Sequence, residues 1–421
     1  MKKVFLILLL TAISRLVFAW EFTPAVDLTG SIAYPYTSVD KELQKKISGA
    51  VDAAGSFMVN TDFLPQLWFI PTATLNYAST AQPLNIDDER FLFSQWLDAY
   101  ISYGFNYEMN PGKWELRLRG FYRKDSSQQT ADEVVGKGLY DYHDGGFYFE
   151  NINMFSLGEA GNEATIGIKY TDRRFPNYKT LVSDPEVKLI IGENTNPNTY
   201  TKEKDSLSYN IYISDDIRWG NSNWFTNLEY SYEYTPYVEQ KVIYTGGELA
   251  DEKRIDKISR LTLEVPYYAD DYTSVSFGYG LTVKLTNQNY NDQLGTTEVE
   301  DDKFIKNYYN YMGHNLNFSI NYGIPDLIIK GQTTTAVISL ALEVVNYSTR
   351  YAKDSEGLYK PDLQKDNNYT VSLDLKNSIF EWWDVFINAS FTDYNSNMQY
   401  ETFGLYNYSY FTAGLGSSIS F

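Results

Sequence analysis

The chain ends in Tyr408-Ser409-Tyr410-Phe411-Thr412-Ala413-Gly414-Leu415-Gly416-Ser417-Ser418-Ile419-Ser420-Phe421, a stretch in which two kinds of side chain alternate. Successive side chains of a β-strand point to opposite faces of the strand. One face of this stretch would carry Phe411, Ala413, Leu415, Ile419 and Phe421, and the other only small and hydroxyl-bearing residues. The pattern predicts a terminal strand with one apolar and one polar face.

The same period of two recurs along most of the chain. Clear examples are the apolar series Leu97, Ala99, Ile101, Tyr103, Phe105, Tyr107 and the series Val275, Phe277, Tyr279, Leu281, Val283, Leu285. Counting such segments predicts about 16 strands of roughly 10–16 residues each. Short turns are expected near 61–65, 109–112, 158–162, 219–223, 269–272, 323–327 and 378–382. Long polar connections are expected near 37–45, 80–95, 124–144, 175–204, 237–254, 289–304, 348–366 and 396–404.

The composition favours a barrel with aromatic girdles and a polar interior. The chain holds 38 Tyr, 24 Phe and 8 Trp, so that 17% of its residues are aromatic. Aromatic belts and alternating polar positions are typical of membrane-spanning barrels. The absence of cysteine excludes disulfide bonds and thiolate ligands. An aromatic-rich soluble β-sandwich is the alternative that composition alone leaves open.

The first 19 residues have the pattern of a secretory signal peptide. Lys2 and Lys3 precede an apolar run, and Val17-Phe18-Ala19 ends in the small residue expected before a cleavage site. The alternative is a membrane anchor, but roughly 15 apolar residues are fewer than the ~20 that a spanning helix needs. No later stretch is apolar enough to span as a helix, so a membrane location would require a closed barrel.

The terminal strand with its final Phe421 resembles the closing strand of bacterial outer-membrane β-barrels, in particular the porin-like ones. The resemblance implies an all-β fold: a transmembrane antiparallel up-and-down barrel of about 16 strands with short periplasmic turns and long extracellular loops. It implies that residues 20–421 form one domain located in the cell outer membrane. The implied partners are outer-membrane lipid and lipopolysaccharide, and the barrel assembly machinery that reads Phe421. The resemblance also allows a homotrimer.

The charge balance argues against a nucleic-acid partner. Without Lys2, Lys3 and Arg15 the chain has 32 basic and 54 acidic residues, from totals of 35 and 54. The difference is −22, whereas phosphate binding requires clustered positive charge. Acidic residues at 298–302 could bind a divalent cation, but a solvated rim is the simpler interpretation. We expect no cofactor and no bound metal.

Two strands predict a basic wall inside such a barrel. If the apolar series faces lipid, the opposite face carries Glu115, Arg117, Arg119, Arg123, Lys169 and Arg173. Candidates for an opposing wall are Glu229, Glu233 and Glu264, the last of these near Arg260. Opposed charges across a water-filled pore can orient and select polar solutes. The same residues could instead form ion pairs that tie strands together, and the two interpretations are compatible.

The long loops raise the question of a constriction. In general porins the third loop folds into the channel, and by that resemblance the loop 124–144 would narrow the pore. The longest loop here is the fourth, 175–204, which could take that place. A third alternative is that neither loop folds inward.

The sequence offers little material for an enzyme. Its two histidines are His143 and His314. His143 lies between acidic residues and is faintly similar to the Asp/His arrangement of outer-membrane proteases, while His314 shares the register of the apolar Leu316 and Phe318. We therefore expect no catalytic activity.

The expected function is a porin-like channel for passive diffusion of small hydrophilic solutes. A barrel of about 16 strands is wide enough to leave an aqueous lumen. The alternative is a non-conducting surface or adhesion protein that uses its long loops. A channel for one solute class would need aromatic residues along the path, and Tyr309 and Tyr311 are the only inward pair that the pattern indicates.

Overall fold

The computed structural model describes residues 20–39, 42–45, 47–61, 64–83, 91–110, 112–128, 137–138, 140–178, 202–245, 249–291, 304–327, 329–400 and 406–420. In these residues every regular element is a strand. In chain order the strands are β1 (Trp20–Val39), β2 (Glu42–Lys45), β3 (Ile47–Thr61), β4 (Leu64–Pro83), β5 (Phe91–Asn110), β6 (Trp114–Gln128), β7 (Tyr142–Leu157), β8 (Ala160–Arg174), β9 (Ser206–Arg218), β10 (Phe225–Ile243), β11 (Leu249–Tyr268), β12 (Thr273–Thr286), β13 (Tyr290–Asn291), β14 (Phe304–Ile305), β15 (Tyr311–Pro325), β16 (Thr333–Lys353), β17 (Tyr359–Phe380), β18 (Trp383–Ser396) and β19 (Tyr408–Ser420). Among the described residues no helix is long and apolar enough to cross a bilayer.

Sixteen of these strands form one closed antiparallel barrel within the described part of the chain. Each strand pairs with its neighbours in sequence, and β19 returns to pair with β1. The short β2 continues the hairpin between β1 and β3, and β13 pairs only with β14. The closed, up-and-down, all-β architecture predicted from the alternation is confirmed, as is the strand number.

The outer surface of the barrel is apolar. Leu415 on β19 is 65% exposed, Ile101 on β5 is 58% exposed and Leu118 on β6 is 50% exposed. Their neighbours one position away, such as Arg117 and Gly414, take the opposite face because side chains alternate along a strand. Phe411 and Leu415 lie on the outside, as the terminal alternation predicts.

Three hairpins extend further than the alternation indicates. The connection expected at 37–45 is mostly strand, because β1 continues to Val39 and β2 covers Glu42–Lys45. The connection expected at 237–254 is mostly strand, since β10 continues to Ile243 and β11 begins at Leu249. The connection expected at 348–366 is likewise shortened by β16 and β17. The ladders shift register between Pro236 and Ile243 and again between Asn346 and Lys353. Such irregularities change which face a side chain takes, so the period of two disappears while the pairing continues.

Glycines on the inner face let large neighbours lie flat against the wall. A Cβ atom on Gly167 would overlap the ring of Tyr212, and one on Gly146 would lie 2.9 Å from Cζ of Phe121. Gly167 and Tyr212 are direct partners on β8 and β9. Without a side chain at these positions, aromatic rings cover the wall and do not project into the lumen.

Candidate functional site

The lumen contains a cavity of about 820 Å³ near the end of the barrel that carries the long loops. Its wall is built from the inward faces of β4 to β12 and from residues at the feet of two loops. The side chains that line it are mostly polar or charged. They include Asp98, Arg123, Asp144, Lys169, Arg173, Lys204, Asn210, Glu233, Asp256 and Lys284.

A row of alternating charges crosses three neighbouring strands. Arg123, Asp144 and Arg173 are direct partners on β6, β7 and β8. Arg173 donates two hydrogen bonds to Asp144, with Nε–Oδ1 and Nη2–Oδ2 distances of 2.8 Å. Arg123 pairs instead with Asp98 on β5, with an Nε–Oδ1 distance of 2.7 Å. Two cations of the predicted basic wall are therefore neutralised by carboxylates on adjacent strands.

Aromatic rings hold these cations in place. The guanidinium carbon of Arg173 lies 4.3 Å from the ring centre of Tyr142, and that of Arg123 lies 5.9 Å from the same ring. The ammonium of Lys169 lies 5.1 Å from the ring centre of Phe121. Cation–π contacts of this kind fix the position of a charge without neutralising it.

A second ion pair lies further along the same wall, on β10 and β11. Glu229, Glu233 and Glu264, which the sequence placed on an opposing wall, are therefore only two or three strands from β8 and do not lie across the lumen from it. Nη1 of Arg260 lies 2.9 Å from Oε2 of Glu233. Glu233 also accepts hydrogen bonds from Ser208 and Thr235. Glu233 and Arg260 thus form a local pair on β10 and β11, which corresponds to the strand-tying interpretation of these residues.

A cluster of charged side chains on β11 and β12 lies beside this pair, and its Arg254 and Asp256 are buried. Arg254 donates to both oxygens of Asp256 at 2.9 and 2.7 Å, and Nζ of Lys284 lies 3.1 Å from the same carboxylate. The guanidinium of Arg254 lies between the rings of Tyr237 and Tyr309, 4.5 and 5.1 Å from their centres. Ring faces and a carboxylate together satisfy this buried cation.

The cavity wall carries more positive than negative groups. Its five cations are Arg123, Lys169, Arg173, Lys204 and Lys284. Its four carboxylates are Asp98, Asp144, Glu233 and Asp256. Of the five cations, Arg123, Arg173 and Lys284 have a carboxylate partner. In the part of the chain that the structure describes, Lys169 and Lys204 have no carboxylate oxygen within 4 Å.

The feet of the third and fourth loops border this cavity. Tyr140 lines it from the third loop, and Phe175 and Lys204 line it from the fourth. Asp141 holds the base of the third loop in place, because its carboxylate accepts hydrogen bonds from the backbone N–H groups of Ser127 and Gly138, at 2.7 and 2.9 Å. The outer parts of both loops lie outside the described residues, so the question of which loop narrows the pore stays a prediction.

Three groups at the foot of the fourth loop have shifted pKa values. Burial raises the pKa of Glu203 to about 7, with Lys204 opposing the shift and Glu239 adding to it. Burial and the nearby Arg254 lower the pKa of Lys204. Burial also raises the pKa of Tyr178 to about 12. These shifts reflect a poorly solvated position, where charged forms are disfavoured.

The other predicted pore residues lie nearer the short-turn end. Arg117 pairs with Glu115 on its own strand at 2.8 Å. The guanidinium of Arg119 lies 5.8 Å from the ring centre of Tyr148. Glu229 and Glu264 are exposed and occupy register positions on the inner face. Phe421, the predicted assembly signal, lies outside the described residues.

Sequence reasoning missed most of the aromatic lining. The cavity is bordered by Tyr100, Phe121, Tyr140, Phe175 and Tyr237, whereas the alternation singled out Tyr309 and Tyr311 as the inward aromatic pair. The alternation of apolar and polar residues does assign Phe121 and Tyr100 to the lumen faces of their strands. Tyr140 and Phe175 lie outside regular strands, and no periodic signal could have placed them.

Each of the two histidines contacts a tyrosine. The ring of His143 lies 6.1 Å from that of Tyr122, whose side chain is on the outer surface, while the adjacent Asp144 faces the lumen. His314 shares a hydrogen bond of 3.0 Å with the hydroxyl of Tyr279. Among the described residues no group of three or more histidines and carboxylates could hold a metal ion.

The barrel was compared with known proteins. No family model and no curated protein matches the chain. Solved structures match over most of its length. OccAB4 of Acinetobacter baumannii is 10% identical, with 94% of this chain and 98% of that chain covered and a TM-score of 0.43. An anion-selective porin from Comamonas acidovorans is 10% identical, with 96% and 100% covered and a TM-score of 0.42.

A third solved structure is OccK2 (OpdF) of Pseudomonas aeruginosa in complex with glucuronate. It is 8% identical, with 94% and 98% covered and a TM-score of 0.43. The chain has the architecture of porin-like outer-membrane barrels. This architecture is evident in the strand pairing, the apolar outer surface and the polar lumen of the barrel itself.

Proposed function

We propose that this protein is an outer-membrane channel through which small hydrophilic solutes diffuse passively. The observation that supports this best is the inversion of polarity across the barrel wall. The outer surface is apolar, whereas the inner wall presents charged and hydroxyl-bearing side chains around a cavity of about 820 Å³. A polar wall of this kind hydrates a lumen, and an apolar exterior suits a bilayer.

Aromatic residues at the short-turn end support a membrane location. Trp219 and Trp224 are 49% and 48% exposed in one turn, and Trp382 is 44% exposed in another. Tryptophan concentrates where hydrocarbon meets water, because its ring is apolar and its N–H is polar. We assign the short-turn end to the periplasm and the long-loop end to the cell exterior. Lipopolysaccharide contact and homotrimer formation belong to the same proposal.

The route to the membrane is also part of the proposal. Residues 1–19 would direct export as a signal peptide, and the assembly machinery would read Phe421. Deletion of Phe421 should reduce the amount of heat-modifiable folded protein in the outer membrane. Phe421→Tyr, which keeps an aromatic terminus, is the matched control and should assemble normally.

Single-channel recording tests the channel directly. Purified, folded protein in a planar bilayer with KCl should produce discrete conductance steps, and proteoliposomes should swell in small neutral sugars. Heat-unfolded protein from the same preparation is the control. Folded protein that inserts but gives neither conductance nor swelling would favour the non-conducting surface protein.

A further inference from the structure

The cavity contains two lysines whose charge the wall does not compensate. Lys169 on β8 is exposed to the lumen, and Lys204 stands at the foot of the fourth loop. The other cations that line the cavity have a carboxylate partner at 3.1 Å or less. A cation without a partner in a partly desolvated cavity is stabilised when an anion enters.

The neighbours of Lys169 offer hydrogen-bonding groups that are not used elsewhere. Asn210 is its direct partner on β9, and Thr171 lies two positions along the same face. Ser206 lines the cavity beside them. None of these three side chains makes a hydrogen bond to another described residue. A solute that carried hydroxyl groups next to its anionic group could bind all of them.

The surrounding carboxylates restrict the charge of such a solute. Glu233 is the direct partner of Asn210 and so lies at the level of Lys169, two strands away. Asp144, the direct partner of Arg173, and Asp98 border the same cavity. A monoanion can contact Lys169 while its uncharged part faces these carboxylates. A dianion such as sulfate brings a second negative charge toward them, which is unfavourable at close range.

We propose that this cavity is a binding subsite for hydroxylated monocarboxylates, the chemical class of the sugar acids. Lys169 binds the carboxylate, and the adjacent Asn210 and Thr171 bind hydroxyl groups. Lys204 and Ser206 add a positive charge and a hydroxyl group further along the same cavity. The subsite rests on the proposed channel, and it adds a preference for one solute class. The cavity of about 820 Å³ has room for a six-carbon solute and accompanying water.

Flux into proteoliposomes tests the subsite. Gluconate and sorbitol have the same carbon skeleton length and differ chiefly in the carboxylate, so the ratio of their initial uptake rates isolates its contribution. Measured at low solute concentration, this ratio should fall about tenfold in the double variant Lys169→Gln/Lys204→Gln, which corresponds to about 1.4 kcal/mol. Lys257→Gln removes a lysine that is exposed outside the lumen and should leave the ratio unchanged.

A second variant tests the hydroxyl contacts without changing charge. Thr171→Val keeps the shape of the side chain and should slow gluconate about twofold to fivefold, in line with the loss of one hydrogen bond. Acetate, which has no hydroxyl groups, should be unaffected. Heat-modifiable migration establishes that each variant is folded.

The outcomes separate the subsite from the channel. An unchanged gluconate-to-sorbitol ratio in a double variant that still passes sorbitol would overturn the subsite alone. Sulfate that competes with gluconate as effectively as unlabelled gluconate would overturn the preference for monocarboxylates. Folded wild-type protein that passes neither solute nor KCl would overturn the proposed channel itself.

Discussion

Arg173 and Asp144 face each other directly across β8 and β7 and are joined by two hydrogen bonds of 2.8 Å. Side-on pairing of this type fixes the guanidinium plane as well as its position. The side chain of Asp144 is only 6% exposed, whereas that of Arg173 is 40% exposed to the lumen. The carboxylate is therefore a buried anchor, and the cation keeps one edge exposed to the lumen.

Removing the anchor should change both selectivity and stability. Asp144→Asn leaves Arg173 uncompensated, so the reversal potential in a KCl gradient should move toward anions. The free energy of unfolding should fall by about 1 kcal/mol, at the low end for a lost charged hydrogen bond because water reaches Arg173. The control is Asp251→Asn, at a carboxylate exposed outside the cavity. A reversal potential that moves toward cations would contradict the lumen position of this pair.

The two faces of β6 should tolerate charge very differently. Leu118 lies on the outer surface and is 50% exposed, while the adjacent Arg117 pairs with Glu115 in the lumen. Leu118→Arg should destabilise the barrel by roughly 2–4 kcal/mol if the position lies near the bilayer midplane. Arg117→Ser should cost less than about 1 kcal/mol. Urea titrations in lipid vesicles measure both costs, and equal costs would contradict the assignment of Leu118 to lipid and Arg117 to the lumen.

Sequence patterns predicted the barrel because period-two alternation reports directly which face of a strand meets lipid. Leu118 and Arg117 could be assigned to opposite faces from the sequence alone. The pairing of each cation could not, because it depends on register between strands. The sequence placed Arg123 near Arg173, but only the register between strands shows that Asp144 lies between them and that Asp98 lies on the other side of Arg123.

Residues outside the alternation were the least predictable part of the site. Tyr140, Phe175 and Lys204 reach the cavity from loop feet, where side-chain direction follows turn geometry and has no fixed period. Between Pro236 and Ile243 the register of β10 shifts, so side-chain direction cannot be predicted from alternation there either, although the region is strand. Charged and aromatic composition indicated a polar lumen but not which groups would meet in it.

The glycine at position 167 should control the width of the lumen. A Cβ atom there would overlap the Tyr212 ring, whose hydroxyl donates to Glu150 at 2.5 Å. Gly167→Val should force the ring inward, reduce single-channel conductance and destabilise the barrel by about 1–3 kcal/mol through overpacking. Gly280→Val is the matched lumen control, since the nearest atom to a Cβ at Gly280 is Cβ of Asn315, at an ordinary 3.4 Å. Equal conductance of the two variants would contradict this role.

The foot of the fourth loop should give a pH-dependent contribution to stability. Burial raises the pKa of Glu203 from 4.5 to about 7, so the folded protein binds this proton more tightly than the unfolded chain. The resulting stabilisation is fully present below about pH 4.5 and is lost as pH rises through about 7. Glu203→Gln removes this pH dependence. The Tm of the wild type should therefore fall relative to that of the variant as pH rises from 5 to 8. Glu356→Gln, at an exposed glutamate elsewhere at the same end, should show no such trend. A pH-independent difference for Glu203→Gln would contradict the assignment.

Three arginines on β6 should contribute positive charge to the conduction path, against an overall charge of −19. Arg117 and Arg123 face carboxylates, whereas Arg119 contacts the Tyr148 ring, so their joint removal leaves Glu115 and Asp98 uncompensated. The triple substitution Arg117→Ser/Arg119→Ser/Arg123→Ser should therefore move the reversal potential toward cations. The shift should grow as salt is lowered from ~0.15 M, where the Debye length is ~8 Å, because wall charges then act over longer distances.

The matched control for this triple variant removes the same charge from outside the lumen. Lys253, Lys257 and Lys365 are exposed, and their register places them on the outer face. Their joint replacement by serine changes net charge equally but leaves the lumen wall intact, so ion preference should stay near that of wild type. If both triple variants conduct with the same ion preference, the arginines of β6 do not border the conduction path. If only the arginine variant shifts, the charge that solutes meet is the charge of the inner wall and not the acidity of the whole chain.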